Sequence, residues 1–343
     1  MRCLVVGGTG FLGGAIVDAL AVAGHAVTVL SRGVSDRAMP PGARTIHADR
    51  HGDLTALADG SFDWVFDTCA YAPDAVDRLL DALGGAVARY VLVSSLSVYG
   101  RYATVGLTED APVPDATAAD LARAAAVPPS DRASASAYGA SYGPLKRACE
   151  RAAADRLGGR ATALRAGLLV GAGDYTDRLT WWVRRIDEAK GVKGRVPAPG
   201  PPSRPVQLID VRDAAAFAVR SADRGLGGVW NVVGAPMPFA DLLGAIIDAT
   251  GAAAEIVWVD EAAIAAAGVE PWTDMPLMTP PGADFRHFLD VDAGRARAAG
   301  LTARPLADTL ARLAAWDRGR RDVALRCGTS GAQETALLGG VSG

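Results

Sequence analysis

"RCLVVGGTGFLGGAIVDAL", residues 2–20, decides how the rest of the chain is read. The apolar run "RCLVV" has the look of a buried strand, and "GGAIVDALAVAG", closed by Gly24, that of a helix. Between them stand three glycines in the spacing Gly7-x-x-Gly10-x-x-Gly13. The first permits a tight turn, the second lets backbone approach a bound group, and the third lets helix and strand pack closely. The helix then presents unpaired N–H groups and the positive end of its dipole to whatever lies before it, which suits a pyrophosphate.

Working outward, "HAVTVLSRG" supplies a second strand, and "FDWVFDTCA", "DAVDRLLDALGGA" and "ARYVLVSSLSVYG" continue as strand, helix, strand. This βαβαβ series predicts an α/β fold: a Rossmann-like, doubly wound parallel sheet with a smaller C-terminal substrate-binding lobe. "ATALRAGLLVG" reads as one more strand, and "PVQLIDVRDAAAFAVRSA" as a strand and helix. The expected division is a nucleotide-binding domain over 1–171, with 205–235 returning to it. A lobe follows over 172–204 and 236–316, and 317–343 form a loosely held tail. The stretch between Tyr102 and Ser136, rich in Ala, Pro and Asp, is expected as loop and short helix around the mouth of the site.

The bulk composition narrows the partners. With 343 residues, half of them hydrophobic, and a net charge of −3, the chain predicts a large core and no field to gather nucleic acid or an anionic membrane. No apolar run approaches the roughly 20 residues that span a bilayer, and the strand-like opening has no basic leader. A cytoplasmic protein acting on a small molecule is expected. Cys3, Cys69, Cys149 and Cys327 are scattered and read as reduced thiols; His25, His47, His51 and His287 show no metal spacing.

Only three of the 35 basic residues are lysines: Lys146, Lys190 and Lys193. Lys146 stands four residues after Tyr142, so on one helix the two share a face. A neighbouring cation favours a phenolate and lowers the tyrosine's pKa, which makes Tyr142 an acid–base candidate. A compact ammonium also keeps protons for ribose hydroxyls, a role that suits arginine's flat fork poorly. Strand "YVLVSSLSVYG" ends in Ser94, Ser95 and Ser97, of which Ser95 is expected to hold a reacting oxygen beside Tyr142.

The second strand ends in Ser31 and Arg32, where a carboxylate would be expected for NAD(H). A guanidinium suits a 2′-phosphate, so NADP(H) is expected ahead of NAD(H); otherwise Arg32 is a solvated surface charge. Asp49 either accepts from the adenine amino group or serves a turn. Tyr175, Trp181, Trp182, Trp230 and Trp272 either form an aromatic cleft or pack in cores.

"GGTGFLG", "VSSLSVYG", "YGPLK", "LRAGLLVG" and "LIDVRDAA" together resemble the extended short-chain dehydrogenase/reductase superfamily, the NAD-dependent epimerase/dehydratase family, over about residues 1–316. The resemblance implies an NAD(P) cofactor touching Gly7, Thr9, Gly10, Phe11, Leu12, Gly13, Ala70, Gly167 and Leu168. It also implies a Ser95–Tyr142–Lys146 catalytic set and a homodimer built from helices near Tyr142. Leu96 and Ser97 follow Ser95 where sugar-nucleotide dehydratases carry Asp-Glu, and "RAGLLVG" lacks the Asn of the epimerases, while Arg204 stands too early for their diphosphate-gripping arginine. "GAGDYTDR" and "APGPPSRPVQ" resemble a reductase-like bacterial branch related to chloroplast stem-loop RNA-binding proteins. The expectation is therefore a reductase or dehydrogenase of a small carbonyl or alcohol. An epimerase working by transient oxidation stands second, ahead of a cofactor sensor or an RNA binder.

Overall fold

The computed structural model describes residues 1–35, 37–58, 60–189 and 194–339. Its centre is a parallel sheet of seven strands: β1 (Arg2–Val6), β2 (Ala26–Ser31), β3 (Arg44–His47), β4 (Trp64–Asp67), β5 (Arg89–Ser95), β6 (Ala161–Ala166) and, later in the chain, Gly228–Val232. Four short strands intervene: β7 (Leu168–Val170), β8 (Arg195–Pro199), β9 (Pro205–Val206) and β10 (Leu208–Asp210), so Gly228–Val232 is β11. The sheet order is β11-β6-β5-β4-β1-β2-β3. The winding direction reverses between β1 and β4, and a crevice at the strands' carboxyl ends follows from that reversal.

α1 (Phe11–Val22), α2 (Pro73–Ala82), α3 (Ala118–Ala126) and α4 (Tyr142–Leu157) follow the early strands, and α5 (Arg178–Asp187) and α6 (Val211–Asp223) the later ones. Strands buried on both faces need near-continuous apolar sequence, and Leu4, Val5, Val65, Phe66, Val91 and Leu92 are all fully buried. One core fills the face where α1 packs on α6, and a second fills the face under α2 and α4. The segment 205–235 joins the sheet through α6 and β11.

Apart from α9 (Gly294–Ala298), the remaining elements make the smaller lobe: β12 (Met237–Pro238), α7 (Phe239–Thr250), β13 (Glu255–Val259), α8 (Glu261–Ala266), α10 (Leu306–Arg318) and α11 (Gly331–Gly339). β13 pairs with β8, and α5, α7 and α10 close a separate apolar core around Trp182, Phe239 and Leu313.

Three details differ from the sequence reading. "ATALRAGLLVG" is two strands: the chain leaves the main sheet at Gly167, and β7 pairs with β10 instead. Residues 291–301, expected in the lobe, pack on the main sheet, where Val291, Ala296 and Leu301 join the first core. The segment after 316 is tied down: Arg320 pairs with Asp177 and Arg321 with Asp187 and Glu188, while Glu334 receives Arg185 and Leu337 is buried. Lys190 and Lys193 lie outside the described residues. Among the described residues no helix is long and apolar enough to cross a membrane, no cluster of potential metal ligands forms, and the four cysteines are free thiols.

Candidate active site

A cavity of about 310 Å³ opens at the carboxyl ends of β1, β2 and β4. Gly7, Thr9, Gly10, Phe11 and Gly13 line it on one side, and Ser31, Arg32 and Asp49 on another. Gly7 has φ +79°, a left-handed conformation that glycine adopts without strain, and a Cβ there would stand 2.6 Å from Thr68 Oγ1. At Gly13 a Cβ would lie 2.2 Å from the Gly7 carbonyl oxygen, so only glycine lets α1 sit this close to the turn. At Gly10 the nearest atom would be 3.3 Å away, and this residue is exposed to the cavity. Gly10 is the N-cap of α1 and makes no side-chain cap, which leaves the first N–H groups of a 12-residue helix facing the open space.

The donor set fits a dinucleotide. Ser31 Oγ is buried with no hydrogen-bond partner among the described residues, so a polar atom waits in the cavity wall. Arg32 is exposed beside it. Asp49 accepts the His51 N–H at 2.9 Å, the turn geometry that was one of its two expected roles. Leu12, Ala70, Gly167 and Leu168 do not line this cavity. Ala70 is near by another route, since its carbonyl accepts from Lys146 Nζ at 2.7 Å.

Below the floor lies a network that the sequence reading missed. Arg50 holds both oxygens of Asp67, at 2.5 and 2.9 Å, and Tyr90 Oη donates to the same carboxylate at 2.7 Å. Burial alone would raise the Asp67 pKa, but the Arg50 charge and these hydrogen bonds outweigh it and hold the carboxyl below its ordinary value. Arg50 Nη2 also donates to the Ala75 carbonyl, which ties the network to α2.

The three catalytic candidates lie beyond Tyr71 and Tyr175, two further cavity-lining residues. Ser95 ends β5 and caps the short 3₁₀ turn Leu96–Tyr99, accepting the Ser97 N–H at 3.1 Å. Tyr142 begins α4, with the Ser95 hydroxyl near enough to favour its phenolate. Gly143 lets this helix approach, because a Cβ there would meet the Ser97 carbonyl oxygen at 2.1 Å. Lys146, one turn on, is fully buried and donates to the carbonyls of Ala70 and Val93. Its nitrogen lies 5.3 Å from the centre of the Tyr71 ring.

The electrostatics at Tyr142 run opposite to the expectation. Burial pushes the Tyr142 phenol above its ordinary value, against the smaller opposing influence of the Ser95 hydroxyl. Burial likewise lowers the Lys146 ammonium. Lys146 thus spends two of its three protons on backbone carbonyls and does not pull Tyr142 down.

The aromatic candidates separate cleanly. Trp181 and Trp182 are core residues of the lobe, with Trp182 Nε1 donating to the Pro276 carbonyl at 2.8 Å. Trp230 packs with Phe217 in the main core. Trp272 carries the Arg178 guanidinium over its ring at 4.7 Å, and Tyr175 is the exposed one at the cavity. Tyr71 and Tyr138, which stack at 5.4 Å, give no signal in the sequence, since a tyrosine in a loop carries no periodicity to flag it.

The model of the NAD dependent epimerase/dehydratase family matches residues 3–233. A curated relative, 2'-dehydrokanamycin reductase of Streptomyces kanamyceticus, is 37% identical over 118 residues, a match that spans 33% of this chain and 33% of the relative. The solved UDP-N-acetylglucosamine 4-epimerase of Methanobrevibacter ruminantium M1 shares the fold with a TM-score of 0.67 at 19% identity, covering 93% of this chain and 98% of that one. UDP-glucuronic acid 4-epimerase of Bacillus cereus, solved in complex with NAD, superposes with a TM-score of 0.64 at 16% identity over 93% of this chain and 99% of that one. At such identities the two structures speak for fold alone. The family match, over two thirds of the chain and taking in the glycine cradle, identifies the protein: it belongs to the NAD dependent epimerase/dehydratase family.

Proposed function

We propose that the protein is an NADP(H)-dependent oxidoreductase that interconverts a carbonyl and an alcohol on a small, non-nucleotide metabolite. The observation that carries this reading is that Ser95 ends β5 next to Tyr142 at the start of α4, with Lys146 one turn on, beside the glycine-lined cavity. The nicotinamide would supply or accept a hydride at carbon. Tyr142 then gives its phenolic proton to the carbonyl oxygen, and Ser95 Oγ holds that oxygen in line. Lys146, with one N–H left after Ala70 and Val93, offers it to a ribose hydroxyl. Gly7, Thr9, Gly10, Phe11 and Gly13 cradle the pyrophosphate, Ser31 and Arg32 take the 2′-phosphate side of the ribose, and Asp49 faces the adenine. Ala70, Gly167 and Leu168 lie toward the nicotinamide half.

The reductase relative supports this direction of chemistry. Leu96 and Ser97, in place of an acid pair after Ser95, speak against dehydration. A second reading, an epimerase using transient oxidation, draws on the fold neighbours, which are sugar-nucleotide epimerases. The same reading takes the protein as cytoplasmic and homodimeric through helices near Tyr142. The experiment is a panel of small carbonyl compounds followed by loss of NADPH absorbance, with Tyr142→Phe as control. Turnover abolished in Tyr142→Phe supports the reductase, whereas turnover without added cofactor, on protein purified with nicotinamide bound, supports the epimerase.

A further inference from the structure

Many arginines in this protein lie against carboxylates: Arg165 on Glu150, Arg184 on Asp317, Arg304 on Asp213, Arg50 on Asp67. Arg132 does not. It comes from the loop after α3, outside the βα turns that usually supply a nucleotide site, and it lines the 310 Å³ cavity together with Pro129 and Ala133. Its side chain is half-buried and fixed at one point, with Nε donating to the Val127 carbonyl at 3.0 Å. Its own carbonyl accepts from Tyr138 Oη at 3.1 Å, so backbone and side chain are both pinned. Among the described residues no carboxylate pairs with this guanidinium, and its two terminal nitrogens make no hydrogen bond.

The place of Arg132 within the cavity is given by its neighbours. It shares a second cavity, of about 300 Å³, with His51, Asp74 and Tyr138. His51 is held below its ordinary pKa first by burial, then by Arg50, with Arg132 adding to the effect against Asp74 and Asp49. Arg132 therefore shares the cavity with the wall Asp49–Arg50–His51. A tethered, unpaired guanidinium with an open flat face is suited to cover an aromatic ring by stacking and cation–π attraction.

We propose that Arg132 is an adenine-binding residue, its guanidinium plane covering the purine of the dinucleotide opposite the Asp49–His51 wall. This rests on the nucleotide-binding reading above but not on its preference for NADP(H). The two arginines then recognise different parts of the cofactor, Arg32 the 2′-phosphate and Arg132 the base that every form of it shares.

The test is calorimetric binding of 5′-AMP, NADH, NADPH and nicotinamide mononucleotide to the full-length protein and to Arg132→Ala, Arg132→Lys, Arg132→Tyr and Arg32→Ala. Arg132→Ala is expected to weaken 5′-AMP, NADH and NADPH by a common factor of about 5 to 30 and leave the mononucleotide unchanged. Arg132→Tyr, which restores a flat face without charge, should regain most of that loss, and Arg132→Lys little of it. Arg32→Ala should cost NADPH alone. Unchanged 5′-AMP affinity in Arg132→Ala, or a loss confined to NADPH, overturns the proposal. A wild-type protein that binds none of the dinucleotides overturns the nucleotide reading itself. Melting temperatures without ligand report whether the Val127 tether matters to folding, and the Lys and Tyr variants carry the comparison should the Ala variant fail to fold.

Discussion

Arg50 Nη1 stands 2.5 Å from Asp67 Oδ1, a buried ion pair spanning the end of β4 and the loop after β3. Both partners are almost wholly out of water, so neither charge has solvent to fall back on. Arg50→Met strands the Asp67 carboxylate with only Tyr90 Oη and a backbone N–H, and is expected to cost about 3–5 kcal/mol. The double variant Arg50→Met/Asp67→Leu removes both charges and should recover most of that loss. Urea midpoints of the single and double variants decide it. Asp67 also sets a pH dependence. Its folded pKa lies below the unfolded value, so its contribution is present above the unfolded carboxylate range and is lost as pH falls through the folded value.

Two glycines of the cradle should fail in different ways. A methyl at Gly13 meets the Gly7 carbonyl oxygen at 2.2 Å, and backbone on both sides leaves nothing flexible to yield. Gly13→Ala is expected to destabilise the domain by about 1–3 kcal/mol. At Gly10 the nearest atom is 3.3 Å away, so Gly10→Ala should melt close to the wild type yet lose affinity for NADPH through a methyl on the pyrophosphate side. A thermal melt paired with a nucleotide titration distinguishes the two.

The parts that were legible in the sequence are those where geometry is local. The glycine spacing before α1, the apolar strands and the four-residue step from Tyr142 to Lys146 each concern one element and its neighbour. The break at Gly167 was not legible, because a bend between β6 and β7 depends on Val233, which blocks any side chain there from 66 residues away. Arg132 and Tyr71 reach the cavity along loops with no repeating pattern. The reversal at Tyr142 has the same origin. Spacing puts Lys146 on the same face, but only the packed structure turns its amine toward Ala70 and Val93 and removes water from the phenol.

That reversal has a kinetic consequence. In the proposed reduction Tyr142 would have to carry its proton, and a phenol raised above its ordinary value keeps it throughout the neutral and mildly alkaline range. The kcat/KM for carbonyl reduction should therefore stay flat up to about pH 10 and decline only beyond it, while alcohol oxidation should climb over the same interval. A phenol lowered by Lys146 would instead make reduction decline from near neutrality. Tyr142→Phe should lower kcat by about 10²–10⁴-fold with little change in NADPH affinity.

The C-terminal segment should matter to nucleotide binding although it lies far along the chain. Asp177 is buried with φ +59°, a left-handed backbone that a non-glycine residue adopts at a cost of about 1–3 kcal/mol and keeps only when its surroundings insist. Here Arg320 Nη1 grips one carboxylate oxygen at 2.6 Å and the Arg326 N–H reaches the other at 3.2 Å. Two residues earlier is Tyr175, which lines the cavity and has Arg326 over its ring at 5.9 Å. Without this clamp the 174–178 turn loses what holds its strained residue, and Tyr175 loses its place. Arg320→Met leaves a buried carboxylate with a backbone donor only and is expected to cost about 3 kcal/mol, the low end for such pairs because Arg320 retains some exposure. The same variant should bind NADPH several-fold more weakly at temperatures where it is fully folded. Asp177→Gly relieves the backbone and removes the charge together, so it should be the milder change in stability. If Arg320→Met binds NADPH as the wild type does, the clamp serves the fold of the lobe and has no part in shaping the site.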